Sequence, residues 1–117
     1  MPVTPEYRAY VMEQLGALLP VTDRRMFGGV GIYSDGLFFA LLDNDTTYLK
    51  VDDSNRGDFE AAGMGPFNPF DDPKQVMQYY ELPADLLEDA DALRPWVFKA
   101  LDVARAARKK KTTKKKR

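Results

Sequence analysis

One stretch of the chain decides the fold: residues 30–42 read VGIYSDGLFFALL. Two runs of mainly apolar and aromatic residues, at 30–34 and 37–42, flank the dipeptide Asp35-Gly36. Asp-Gly is typical of a two-residue hairpin turn, because both residue types tolerate the positive φ that such a turn requires. The stretch therefore predicts two antiparallel strands joined by a tight turn.

The residues after this hairpin continue the strand pattern. A polar turn at residues 43–46 leads into residues 47–51, whose side chains alternate between two faces. One face takes Thr47, Leu49 and Val51, and the other takes Tyr48 and Lys50. The helical spacing of apolar residues already gives way to strand-like spacing at Arg24, so three or four antiparallel strands are predicted in succession.

A helix is predicted before these strands. Thr4 is suited to cap it, Pro5 fits its first turn, and Pro20 ends it. Between these residues an apolar stripe recurs at helical spacing, which predicts that one face of the helix is buried. The stripe consists of Tyr7, Tyr10, Val11, Leu15 and Leu18.

After the strands, a short helix containing Phe59 is predicted to end near Gly63. Residues 64–73 are rich in Gly and Pro and predict a loop that Phe67 and Phe70 pin to the core. Residues 75–82 alternate well enough to form another strand of the same sheet.

The last predicted elements of the domain are helical. A short helical turn follows Pro83, and a longer amphipathic helix follows Asp91, with Pro95 in its first turn where its missing N–H costs little. The predicted order is α-β-β-β(-β)-α-β-α. Because hairpins connect the successive strands, the fold class is α+β, a single antiparallel sheet with helices packed against it, in one domain of residues 1–106.

The composition excludes several chemistries. The 117 residues include no histidine and no cysteine, which excludes imidazole catalysis, thiolate nucleophiles, disulfides and ordinary zinc or iron–sulfur sites. No complete catalytic motif is present, so we expect no enzyme activity, no cofactor and no metal. There is no apolar run long enough to span a bilayer and no signal-peptide pattern, so we expect no membrane insertion and a cytoplasmic protein.

The net charge of −1 conceals a separation of charge along the chain. The first 104 residues carry eight basic groups against all 18 acidic ones, a formal charge of −10, and residues 105–117 carry the other nine basic groups. These nine are Arg105, Arg108, Lys109, Lys110, Lys111, Lys114, Lys115, Lys116 and Arg117. We call residues 107–117 the basic tail; it is predicted to be disordered when unbound, because from Lys109 onward it has no apolar side chain to bury.

The basic tail is the first candidate functional site. Clustered Lys and Arg bind polyanions by displacing the counterions condensed on phosphates. The tail and the neighbouring Arg105 are therefore predicted to bind nucleic acid without reading its sequence. Three alternatives remain open: the tail only keeps the protein soluble, it folds back onto the acidic domain, or it binds an anionic membrane surface or another acidic partner.

The second candidate site is the motif Arg24-Arg25-Met26-Phe27-Gly28-Gly29. Two guanidiniums beside a Gly-Gly turn could hold a phosphate or a carboxylate of a partner. The structural interpretation, which we favour, is that the glycines allow a bulge or close packing, that Met26 and Phe27 fill the core, and that an arginine pairs with an acidic residue.

The same motif begins a resemblance to a known family. Residues 24–33, RRMFGGVGIY, resemble the opening signature of the TfoX N-terminal domain family, named after the Sxy/TfoX competence regulators. Further matches follow in order and spacing at Asp35-Gly36, Phe39-Ala40-Leu41, Tyr48-Leu49-Lys50-Val51-Asp52, Asn55-Arg56, Phe59-Glu60-Ala61-Ala62-Gly63-Met64 and, more weakly, Tyr79-Tyr80 and Leu82-Pro83. The resemblance covers residues 5–106. It implies a small α+β domain with an antiparallel sheet and no established enzyme activity. Full-length competence regulators of the family carry a second domain and act with DNA-bound transcription machinery.

Three other groups of residues are better explained by structure than by chemistry. Asp43 and Asp45 are predicted to lie in a polar turn, because Tyr48 stands where a calcium loop needs glycine. The aspartate pairs at 52–53 and 71–72 fit caps or turns. The last group consists of four tyrosines: Tyr33, Tyr48, Tyr79 and Tyr80. Tyrosines on a sheet can stack on the bases of single-stranded nucleic acid, but no interleaved basic residues would bring a nucleic-acid backbone to these rings. They are therefore predicted to pack within the sheet.

Two classes of function follow. The leading hypothesis is a non-enzymatic regulatory or adaptor domain whose tail binds nucleic acid or another polyanion and whose acidic domain faces a protein partner. The alternative is a homo-oligomeric or protein-interaction domain whose tail is only solubilising. An enzyme of unrecognised type would need a catalytic pair or a metal site assembled from residues distant in the sequence. The sequence does not determine the oligomeric state.

Overall fold

The computed structural model describes residues 3–26, 28–68 and 78–115, with side chains described as far as Lys109. The described chain folds into helices on one side of a sheet. In chain order the elements are α1 (Pro5–Gly16), β1 (Thr22–Met26), β2 (Gly29–Ser34), β3 (Leu37–Asp43), β4 (Thr46–Lys50), α2 (Arg56–Ala61), β5 (Tyr79–Glu81), a 3₁₀ helix (Ala84–Glu88) and α3 (Ala90–Lys115).

The five strands form one antiparallel sheet in the order β1-β2-β3-β4-β5. The turn between β2 and β3 has a φ of 52° at Asp35 and 75° at Gly36, and the turn between β3 and β4 has positive φ at Asn44 and Asp45. Both predicted hairpins are therefore confirmed, and β1 is the strand that the sequence left optional. The α+β class and the order of elements are confirmed with them.

The hydrophobic core lies between one face of the sheet and helices α1 and α3. Its fully buried members come from both layers: Val11, Leu15, Ile32, Leu42, Leu49, Leu93 and Val97. Thr47, Leu49 and Val51 are at most 2% exposed, which confirms the predicted buried face of β4. We call the opposite side of the sheet the helix-free face.

Strand β3 contains a bulge. Ile32 pairs with Ala40 but its neighbour Tyr33 pairs with Phe38, so Phe39 is an extra residue on β3. Phe39 and Ala40 are both 0% exposed and both belong to the core. The bulge thus places two consecutive side chains on the buried side of the strand.

Helix α1 begins where the sequence predicts and ends earlier. The hydroxyl of Thr4 accepts a hydrogen bond from the Tyr7 N–H at 3.2 Å, which is the predicted cap. The helix ends at Gly16, and residues 17–19 form a turn before Pro20. The inclusion of Tyr10 in the buried stripe was wrong, because it lies about 100° around the helix axis from Val11 and is 36% exposed.

Helix α3 begins at Ala90, and Asp89 caps it. The Asp89 carboxylate accepts from the Ala92 N–H at 3.2 Å, and its carbonyl accepts from the Leu93 N–H at 2.9 Å. Pro95 therefore lies in the second turn, and its predicted place in the first turn was wrong. The proline is tolerated because it removes one N–H near a solvent-exposed helix start, where water can solvate the carbonyl left without a donor.

Helix α3 continues to Lys115 and includes most of the basic tail. Ala, Arg and Lys favour helix, and basic residues are stabilised near a helix C-terminus. Among the side chains that the structure describes, the last buried one on α3 is Ala104. Beyond it, Arg108 still lies close to the β2–β3 turn at Gly36. The disorder predicted for residues 107–117 in the unbound chain stays a prediction.

Strand β5 is shorter than the predicted strand over residues 75–82. Residues 75–77 lie outside the described residues, as do Phe70 and the aspartate pair 71–72. Tyr79 is buried on the helix-free face and Tyr80 packs against the core, so the predicted alternation is confirmed over this short strand. In the described residues, no helix is both long and apolar enough to cross a bilayer.

Candidate functional site

The Arg24–Gly29 motif lies along an edge of the sheet. Arg24, Arg25 and Met26 belong to β1, Gly28 occupies the turn with a φ of 80°, and Gly29 begins β2. Phe27 lies outside the described residues, so its predicted place in the core is not described. Because β1 is the first strand of the sheet order, the motif sits at a border of the molecule.

The two arginines point to opposite faces of the sheet. Arg24 pairs with Gly31 and reaches the helix-free face, where its Cζ atom lies 5.8 Å from the centroid of the Tyr33 ring. Arg25 pairs with the core residue Val30 and lies on the side of the helices. The structure therefore does not bring the two guanidiniums together on one face.

Arg25 instead lines a pocket of about 590 Å³ between α1 and the β1–β2 turn. The pocket is lined by Val3, Pro5, Arg8, Ala9, Met12, Asp23, Arg25, Met26, Gly28, Gly29 and Val30. The Arg25 side chain is exposed, and among the described residues no hydrogen bond or ion pair holds its guanidinium. The pocket thus offers an unpaired positive charge beside apolar walls.

A second arginine enters the same pocket from α1. The Nε atom of Arg8 donates to the Asp23 carboxylate at 2.6 Å, and both side chains are about one quarter exposed. This hydrogen bond raises the pKa of Arg8, so the guanidinium remains charged. The pair joins α1 to β1, and the sequence analysis missed it because residues 15 positions apart in different elements give no local signal.

The glycines of the motif allow close packing, as the structural interpretation holds. A Cβ atom on Gly29 would lie 2.4 Å from the backbone oxygen of Leu42, so only glycine fits there. Met26 covers Gly31, where an added Cβ would lie 2.5 Å from the Met26 Cε atom and 3.2 Å from the Phe38 ring. Met26 is half-buried there and does not belong to the core cluster, so its predicted place in the core was wrong. The bulge of the sheet lies elsewhere, opposite Ile32 and Tyr33.

The helix-free face carries an aromatic layer. The rings of Tyr33 and Phe38 stack with centroids 5.0 Å apart, and Phe38 lies 5.4 Å from Tyr79. The Nζ atom of Lys50 lies 5.0 Å from the centroid of the Tyr79 ring. Basic residues therefore do lie among these tyrosines, contrary to the prediction. The alternation of β4 already put Lys50 on the face of Tyr48, whereas no signal in the sequence put Arg24 beside Tyr33.

The four tyrosines do not form one surface. Tyr33, Tyr48 and Tyr79 lie on the helix-free face, where Tyr48 packs 4.7 Å from Phe67. Tyr80 lies on the other side and packs 6.0 Å from Phe59. Packing within the sheet, as predicted, accounts for all of these contacts.

Tyr79→Phe is expected to improve stability at alkaline pH. Burial raises the pKa of Tyr79 above its usual value of about 10, so the folded state keeps the neutral phenol while the unfolded state ionises. Stability is therefore fully present below about pH 10 and falls as the pH rises toward the folded pKa, by up to about 1.4 kcal/mol per pH unit for this group. Urea unfolding at pH 8 to 11 measures it; a parallel pH dependence of both proteins would contradict the expectation.

The aspartates are used in turns and caps. Asp45 accepts a hydrogen bond from the Thr4 N–H at 2.8 Å and so fixes the start of α1. Asp52 accepts from the Ser54 N–H at 2.8 Å, and Asp53 pairs with Arg56 at 2.5 Å. Within the described ranges, no group of three or more metal-ligating side chains is assembled.

The basic end of α3 begins beside the domain. Arg105 pairs with Asp102 at 3.0 Å, one turn earlier on the helix. The guanidinium of Arg108 lies against the β2–β3 turn. Its Nη1 atom is 3.7 Å from the position that a Cβ atom on Gly36 would occupy. Lys109 is exposed, and the side chains from Lys110 to Arg117 lie outside the described ones.

Comparison with known proteins gives two matches. A family model described as the TfoX N-terminal domain matches residues 13–104. A curated protein of Spirochaeta aurantia, described as an uncharacterized 12.7 kDa protein in the trpE 5' region, is 34% identical over 90 residues, which cover 77% of this chain and 73% of that protein. The first match spans the arginine–glycine motif, the whole sheet and most of the helices.

Proposed function

The chain belongs to the TfoX N-terminal domain family, and from that premise we propose that it is a non-enzymatic regulatory adaptor of the cytoplasm whose basic C-terminal segment binds nucleic acid or another polyanion. The family suggests the regulatory or adaptor role. The polyanion binding rests on one observation, which is the concentration of nine basic residues at 105–117 after residues 1–104, whose formal charge is −10.

The position of this basic segment supports the proposal. It follows Ala104, the last buried one of the described α3 side chains, so Arg105 to Lys109 add no buried side chain to the core. A helical backbone from Arg105 to Lys115 would advance by about 15 Å, which is enough to follow several phosphates of a duplex. Contacts of this kind neutralise phosphates and release counterions without reading bases.

The acidic domain limits how nucleic acid can approach. A formal charge of −10 repels phosphates at distances within the Debye length, about 8 Å at physiological salt. The repulsion favours binding through the distal part of the segment over binding across the sheet. Arg105 and Arg108 already contact the domain, so the six lysines from Lys109 onward are the ones assigned to phosphates.

The test is a salt series of anisotropy titrations with labelled duplex DNA and single-stranded RNA. We call the full chain with K109Q, K110Q, K111Q, K114Q, K115Q and K116Q the Gln-tail variant. If about six lysines meet phosphates, the log–log salt slope of the wild type on duplex DNA is about −5. The Gln-tail variant is expected to lose most of this binding and nearly all of its salt dependence.

The matched control replaces the same six lysines by arginine, which keeps the charge and is expected to retain the slope. Equal binding by the wild type and the Gln-tail variant at every salt concentration would contradict the proposal. Absence of wild-type binding at low salt would also contradict it, and would favour an interaction domain whose tail is only solubilising. Sedimentation of the wild type would then show whether it self-associates.

A further inference from the structure

Among the residues that the structure describes, one edge of the sheet is open and the other is partly closed. At the β5 edge, the Phe67 N–H donates to the Tyr79 carbonyl at 2.7 Å, and the Glu81 N–H donates to the Gly65 carbonyl at 3.0 Å. At the other edge, β1 pairs with β2 and has no second strand among the described residues. The outward N–H and C=O groups of Thr22–Met26 therefore form a template for an added strand.

The open edge carries two arginines for which the described residues supply no carboxylate partner. Arg8, Arg56 and Arg105 each pair with an aspartate. Within the described part of the chain, Arg24 lies over the Tyr33 ring, and neither Arg24 nor Arg25 makes an ion pair. Residues 1–104 have a formal charge of −10, so two adjacent arginines that find no carboxylate among the described residues indicate an acidic partner.

An added strand would place consecutive side chains beside both arginines. Residues directly opposite each other on neighbouring strands share a face, so a residue opposite Arg25 points toward the pocket of about 590 Å³. The next residue points to the helix-free face beside Arg24 and Tyr33. Two adjacent acidic residues therefore match the edge, with a carboxylate on each side.

A second copy of this chain matches the edge less well than an acidic segment does. Antiparallel pairing of β1 with itself about Asp23 or Arg25 sets that residue opposite its own copy, and like charges directly opposite each other destabilise a strand pair. Pairing about Arg24 sets Asp23 opposite Arg25 of the copy, but it also sets Arg24 opposite itself, and Asp23 already binds Arg8. An acidic segment instead places a carboxylate beside both arginines and is the complementary occupant.

We infer that the open edge of β1 is a docking site for an extended acidic segment of a partner protein, which adds a strand to the sheet and places adjacent carboxylates beside Arg24 and Arg25. Main-chain hydrogen bonds supply the pairing, and the two arginines select the charge. The site is separate from the basic tail and does not depend on polyanion binding.

The test uses the Gln-tail variant as the background, so that the tail cannot capture an acidic probe. The probe is a fluorescent eight-residue peptide of alternating threonine and valine with two adjacent glutamates at its centre. Saturable binding is expected, with NMR shifts centred on residues 22–26 and 28–30. Arg25→Glu is expected to weaken binding at least about tenfold, and a peptide in which lysine replaces one of the two glutamates is expected to restore binding to that variant, because the lysine faces the glutamate introduced at position 25 and the remaining glutamate faces Arg24.

Two controls separate this site from general charge attraction. Arg94→Glu removes an equally exposed arginine from α3 and is expected to leave binding within about twofold. In an added strand, every second N–H of the peptide points toward β1 and the others point away. Of two peptides methylated on alternate amide nitrogens, the one whose methyl groups point away is expected to bind, and the one whose methyl groups point toward β1 is expected to fail.

Several outcomes overturn the inference: no binding by the glutamate peptide, equal loss with Arg94→Glu, or equal behaviour of the two methylated peptides. Concentration-dependent self-association through residues 22–26 without peptide would assign the edge to a second copy instead. None of these outcomes bears on the DNA titrations, so the two proposals stand or fall separately.

Discussion

Gly29→Ala is expected to destabilise the domain by about 3 kcal/mol. An alanine Cβ would lie 2.4 Å from the backbone oxygen of Leu42, and no real Cβ atom approaches a backbone atom so closely. The clash falls between paired strands, so β2 must shift away from β3 and disturb the core residue Val30 beside it. Urea denaturation followed by circular dichroism measures the loss as a lower midpoint.

Alanine substitutions at two other glycines serve as comparisons for the stability loss at Gly29. At Gly31 the added Cβ would meet the flexible end of Met26, which can move, so the loss is expected to be smaller than at Gly29. At Gly57, in α2, nothing lies within 4 Å, and alanine is expected to stabilise the helix by up to about 1 kcal/mol. Equal losses at Gly29 and Gly31 would contradict the close approach to Leu42.

The hairpins of this fold could be predicted because their signals are local. Asp35-Gly36 specifies its turn by the backbone conformations that two adjacent residues can adopt. Helix α1 was located by Thr4 and Pro5, which act within one turn. The start of α3 was misplaced because Asp89, rather than Asp91, supplies the cap.

The geometry of the candidate site depends on the sheet and could not be predicted in the same way. Residues 22–26 read TDRRM and lack the apolar alternation of a typical strand. Without that assignment, Arg24 and Arg25 could be taken for a pair acting together, although adjacent strand residues point to opposite faces. The neighbour that Arg25 has in the pocket, Arg8, comes from a helix that only tertiary packing brings near.

The bulge of β3 shows the same limit within a correctly predicted strand. Every residue from 37 to 42 is apolar, so the sequence gives no alternation from which to assign faces. Strict alternation would put Phe39 and Ala40 on opposite faces. The extra residue lets both of them enter the core, while Phe38 joins the aromatic layer on the helix-free face.

Phe39→Ala is therefore expected to be among the most damaging substitutions in the chain, at about 4 kcal/mol. The ring is 0% exposed and lies in the core between the sheet and the helices. Alanine removes its apolar contacts and leaves a cavity that neighbouring side chains, fixed by two layers of backbone, fill only in part. Since a domain of this size is stable by about 5–15 kcal/mol, the loss is a large fraction of the total.

Phe98→Ala is the matched control, because the same ring on α3 is 39% exposed. Its removal is expected to cost about 1 kcal/mol, since much of its surface is already in water. Urea denaturation of both variants compares a buried and an exposed phenylalanine at constant chemistry. A loss at Phe39 no larger than the loss at Phe98 would contradict the burial of Phe39 in the core. The register Ile32–Ala40 and Tyr33–Phe38 predicts the opposite ranking, because it leaves Phe39 and Ala40 together on the buried side.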